Sequence, residues 1–188
     1  MEYDIELYKN KLESELVHIC IESGIIITGG KNGAMLFSSP DIDGLWQALG
    51  PDYIADAMPQ IKDYPTVSVA WAAYLGMAVA CGWDHDWEFC SRLPYSSYYG
   101  RQGFDDMDDH IMKDVLGIEL DSHDAESLRN ILRRCAEASV SLIRHENIEP
   151  QSITAYHVFV ATCETMYRIG AAIELHRLGY KFEAVDLV

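Results

Sequence analysis

The decapeptide CGWDHDWEFC, residues 81–90, packs two tryptophans, two cysteines, a histidine and three carboxylates together. Histidine and carboxylate are ligands for a divalent cation, and a cation so held turns bound water into a nucleophile. His85 and Asp86 form a His-Asp pair of the kind metal phosphohydrolases use. A second pair stands at His123–Asp124, and with seven histidines in the chain chance supplies about 0.6 such pairs. Asp84, His85 and Asp86 are consecutive, so a regular element cannot aim all three at one ion. They stand where an uncharged segment ends, and carboxylates at a helix C-terminus oppose its dipole.

A second acidic cluster, GFDDMDDHIMKDVLG at 103–117, offers Asp105, Asp108 and His110. It lacks the alternating acids, the glycine and the terminal glutamate of a calcium loop. On a helical wheel Phe104, Met107, Ile111 and Val115 face inward, while Asp109 and Lys113 pair outside. Asp108 falls inside the apolar arc, about 40° from Phe104 and about 20° from Val115. A carboxylate there needs a partner or a raised pKa, and Arg101 and the Arg129/Arg133/Arg134 group are the cations within reach. Glu174 raises the same question, because it points the same way as Tyr156, Cys163 and Tyr167. The six candidate metal ligands are therefore His85, Asp86, Asp105, Asp108, His110 and Glu174, with a divalent metal as the implied cofactor.

A different chemistry is offered by the aromatics of the same region. Trp83, Trp87, Tyr95, Tyr98 and Tyr99, with Arg101, supply rigid amphipathic contact area of the kind that dominates binding surfaces. Pro94, Gly100 and Gly103 interrupt regular structure between them. Other signals are negative. The glycines of GGKNG do not form a phosphate loop, since Gly30 stands where the lysine is needed and Asn32 follows Lys31 where a hydroxyl should. Glu15 and His18 make one Glu-x-x-His motif, where a di-metal bundle needs two, and both face away from the Leu12/Leu16 stripe. No serine sits in a nucleophile elbow, and there is no Cys-x-x-Cys.

Helices must position these groups. Residues 4–23 carry Ile5, Tyr8, Leu12, Leu16 and Ile19 at spacings of three and four, with Lys9–Glu13 and Lys11–Glu15 as outer pairs. Two apolar runs around GGKNG predict a small β-hairpin near 25–37. Ser and Pro open a short helix over 38–50 that closes on Gly50, and Pro51 starts another to about Met58. Residues 65–82 are apolar almost all round and predict the central helix, with Ala72, Gly76 and Ala80 as a groove for close helix approach. Further helices are predicted over 104–116, 122–146 and 152–178. In the last, Tyr156, Phe159, Val160, Cys163 and Tyr167 form the inner stripe, with Glu164–Arg168 paired outside.

The fold class is thus all-α: one domain over 1–188, a multi-helix bundle around the 65–82 helix. Net charge is −16, from 30 carboxylates against 14 Lys and Arg. Such a surface repels nucleic acid and anionic lipid. The uncharged 65–83 segment is long enough to span a membrane, but it is Ala- and Gly-rich and flanked by Asp63 and Asp84, which favours a soluble core. Five scattered cysteines and a charged N-terminus without a signal peptide's apolar core suggest the cytoplasm. The expectations are a cytoplasmic interaction module using the aromatic 83–104 region to bind a protein or small molecule, or alternatively a metal-dependent hydrolase with ligands from 84–86 and 105–110. Homo-oligomerisation is compatible with either.

Overall fold

Helix α1 (Ile5–Glu22) begins where the Asp4 carboxylate accepts the Leu7 amide at 2.9 Å, satisfying one orphan donor of the first turn. It is the first helix of a computed structural model that describes residues 3–182. Tyr8, Leu12, Leu16 and Cys20 recur every fourth residue and are its buried face. Ile5 and Ile19, the other predicted stripe members, are half-buried flanks. Gly24, at φ +81°, ends the helix as predicted.

The hairpin forms and is short. Strand β1 (Thr28–Gly29) pairs antiparallel with β2 (Met35–Leu36), Thr28 opposite Leu36 and Gly29 opposite Met35. A single 3-10 turn over Lys31–Gly33 joins them, with Asn32 at φ 68°.

Helix α2 (Pro40–Ala57) corrects the two-helix reading of 38–58. It runs unbroken through Gly50 and Pro51 from a Ser39 cap. Gly50 is no stop here. A Cβ on it would come within 2.7–3.0 Å of the Trp46 indole, so glycine leaves room for that buried ring. Pro51 forgoes one helical hydrogen bond, and it does so on the exposed face of the helix.

Helix α3 (Pro65–Cys90) extends beyond the predicted end at 82, and its last turn is a fresh start. Asp86 leaves helical geometry (φ −157°, ψ 87°), and its carboxylate accepts the Phe89 amide at 3.1 Å. That is the geometry of an N-cap. The chain folds back so far that Cys90 lies against Gly82, where a Cβ would come within 2.7 Å of Cys90 Cβ and Sγ.

The predicted 104–116 helix shrinks to α4 (Met107–His110) followed by one wide turn over Ile111–Val115, closed by the Leu116 amide on the Ile111 carbonyl. Helices α5 (His123–His145) and α6 (Ile153–Arg177) match the predicted spans closely. Ser122 and Ser152 cap them by accepting the Ala125 and Ala155 amides.

The most extensive packing is between α3 and α6. These two helices run parallel: Ser68 lies by Cys163, Ala73 by Gly170, Gly76 by Tyr167 and Ala171, and Asp84 by Tyr180. At the crossing the backbones touch. A Cβ on Gly76 would overlap the Tyr167 carbonyl, and one on Gly170 the Ala73 carbonyl. Around this pair α1, α2 and α5 lay their apolar faces, and one hydrophobic cluster runs from Tyr8 to Leu175. Buried phenols tie helix to helix: Tyr53 donates to the Ser68 carbonyl and Tyr167 to the Ile42 carbonyl, each at 2.6 Å, and Tyr8 bonds Thr162. Among the described residues α3 is the one helix long and apolar enough to cross a membrane, and 72% of that apolar window is buried inside the bundle.

Candidate functional site

Where α3 ends, each acid of the opening decapeptide has a structural partner. Asp84 accepts the Tyr180 hydroxyl at 2.6 Å, and the Tyr180 ring rests on Trp83 with centroids 5.4 Å apart. Asp86 is the cap just described, so its carboxylate sits at a helix start, where the dipole favours it. His85 is exposed. Trp83 and Trp87 are half-buried against the core. The turn leaves Phe89 63% exposed beside a depression of about 460 Å³ lined with Asp86, Glu88, Arg92 and Leu93.

Tyr95 and Tyr98 are core residues. Tyr95 meets Tyr53 edge-on at 6.5 Å and Tyr99 at 5.2 Å, and the half-buried Tyr99 donates to Asp56. Burial, with the Asp56 charge second, holds the Tyr95 phenol well above its ordinary pKa. Arg101 is exposed. The predicted aromatic contact surface therefore loses its two central rings to the interior.

The acidic cluster is equally dispersed. Asp105 is exposed, and Asp106 accepts the Gln102 amide at 2.9 Å. His110 uses both ring nitrogens locally, on Asp114 at 2.9 Å and the Ser97 carbonyl at 3.3 Å. Asp108 is half-buried in the first turn of α4. Burial raises its pKa to about 6, and the neighbouring Asp109 charge adds to the shift. Arg129 moderates it while pairing with Asp109 at 3.5 Å. The other predicted partners are engaged elsewhere, Arg133 with Asn130 and Arg134 with Glu22 and Ser23.

Glu174 is 1% exposed, and Arg177 reaches it at 2.9 Å. Burial raises its pKa, Arg177 opposes that, and Asp84 adds to it. The parallel course of α3 and α6 puts Asp84 and Glu174 at the same end of the bundle, which is how Asp84 comes to add its smaller effect to that of burial. Burial also raises the Cys81 thiol, with Glu174 and Asp84 next in effect. Asp108 and Glu174 have separate neighbours. Among the described residues no three His, Cys, Asp or Glu side chains converge as a metal site.

A larger cleft lies where sequence reasoning did not look, at the α5–α6 connection. It encloses about 1020 Å³. Met58 and Ile61, in the turn after α2, face Ile143, Ile148, Pro150, Tyr156 and Phe159, with Arg144, Asn147, Glu149 and Gln151 as polar members. Two non-glycine residues in this connection hold left-handed backbone, Asn147 (φ 51°) and Gln151 (φ 63°). Asn147 follows the α5 cap, where asparagine takes this conformation readily, whereas it costs Gln151 about 1 kcal/mol or more. Tyr156, predicted on the inner stripe, is 47% exposed on this groove. Its stripe does continue, but α5 has ended, and the first turn of α6 keeps Ile153 and Tyr156 exposed among the described residues. No family model, curated protein or solved structure matches the chain.

Proposed function

We propose that this chain is a helical binding module whose contact site is the apolar groove at the α5–α6 connection. The groove carries the reading: a mostly apolar concavity of this size with a few polar groups is what a binding site is made of. The left-handed backbone of Gln151 supports the same reading. The site differs from the aromatic 83–104 region, because Tyr95 and Tyr98 are committed to the core. A metal-dependent hydrolase needs ligands that meet, and no observation here favours one. The five cysteines are free, three of them buried, which fits a reducing cytoplasm.

A neutral dye whose emission rises in apolar surroundings, N-phenyl-1-naphthylamine, tests the site. It should bind the native chain saturably, and Ile61→Ser/Tyr156→Ser should weaken binding at least about tenfold, since each substitution removes on the order of 1 kcal/mol of apolar contact. Both residues are partly exposed, so circular dichroism should be unchanged and the melt lowered by only a few degrees. Undiminished dye binding by a folded double variant would remove the groove as the contact site.

A further inference from the structure

The groove's surroundings narrow the chemistry of its occupant, provided the groove is a binding site as proposed above. We propose that it takes the apolar face of a positively charged amphipathic helix presented by another protein. Size is the first argument. At about 1020 Å³ the groove stands at the upper limit of small-ligand pockets. A small ligand would leave part of such a groove in water, while a helix laid along it can fill it.

The walls give the second argument. They are helix ends and turns with no free strand edge, so an extended peptide finds no backbone ladder to join. An amphipathic helix needs only side-chain packing, with anchors at i, i+3, i+4 and i+7. Charge gives the third. The wall itself is balanced, Arg144 against Glu149. The field of the whole chain decides, with 30 carboxylates against 14 cations. A second copy brings the same excess and is repelled, as are anionic lipid and nucleic acid. A cationic helix is drawn in.

Two fluorescent model helices of about 18 residues, one patterned Leu/Lys and one Leu/Glu, test this by anisotropy with the full chain. The Leu/Lys peptide should bind at least tenfold more tightly than Leu/Glu, and Ile61→Ser/Tyr156→Ser should cost it at least tenfold. Raising salt from about 0.1 to 0.5 M should weaken the Leu/Lys complex without abolishing it, since the apolar contact is not screened. Equal affinity for both peptides would overturn the charge assignment, and so would Leu/Lys binding that ignores the groove substitutions. Sedimentation showing self-association that the double variant abolishes would assign the groove to a second copy instead. If the neutral dye also fails to bind there, the binding-module reading itself fails. If the dye binds and the Leu/Lys peptide does not, only the partner class is overturned.

Discussion

Asp108 stays charged at neutral pH at a cost to the fold. Its ordinary pKa is 3.8 and its folded one about 6, so between those values the native chain holds a proton that the unfolded chain has released. Stability therefore falls as pH rises from about 4 to 6, and the loss is complete above 6. Asp108→Asn should stabilise the protein at pH 7 by about 1 kcal/mol, less than the full shift implies because the group keeps contact with water. The same variant should flatten the stability–pH curve between 4 and 6. Urea melts at pH 4, 5, 6 and 7 measure both. An unchanged slope would assign that pH dependence to other groups, Glu174 first. Both acids are visible in the sequence as carboxylates on the apolar side of a helical wheel. Their partners are not. Arg129 goes to Asp109, and Arg177 reaches Glu174 from one turn further along its own helix.

The crossing of α3 and α6 depends on the absence of two side chains. Gly76→Ala or Gly170→Ala would press a methyl into a backbone carbonyl of the facing helix, which cannot yield as a flexible side chain can. Each should cost at least about 3 kcal/mol in denaturant unfolding, despite alanine's better helix propensity. Gly44→Ala, at an exposed α2 position with no atom within 4 Å, should raise stability and serves as the control. A Gly76→Ala protein as stable as wild type would contradict the close approach. The Ala72/Gly76/Ala80 spacing made that groove legible, because small residues four apart have few other uses in an apolar helix. The break at Asp86 and the passage through Pro51 were hidden, since an acid that caps a new turn and a proline carried on an exposed helix face look, in sequence, like a helix end and a helix start. Charge pairing misled as well. Lys9, Lys11 and Arg168 take Glu164, Glu146 and Glu13 on other helices rather than the predicted neighbours on their own.

Across the molecule, net repulsion opposes these cross-helix pairs. With a charge of −16, screening should relieve more repulsion than it weakens attraction. Raising NaCl from about 0.01 to 0.3 M should therefore lift the Tm by about 2–4 °C, the equivalent of ~1 kcal/mol for a chain of this size. A Tm that falls with salt would mean the ion pairs dominate. The bundle and its central rod could be read from hydrophobic periodicity alone. The α5–α6 groove could not, because a helix stripe does not reveal where its covering neighbour stops.

The parallel course of α3 and α6 matters while the chain is being made. Helix α3 is finished at Cys90, yet the face holding Gly76 has no lasting cover until Ile153–Arg177 has emerged. At ordinary translation speeds that interval is on the order of ten seconds. For that time this face of the greasiest helix stays open to water, with α2 and later α5 covering only its other sides, so newborn chains should be clients of chaperones that hold apolar helices.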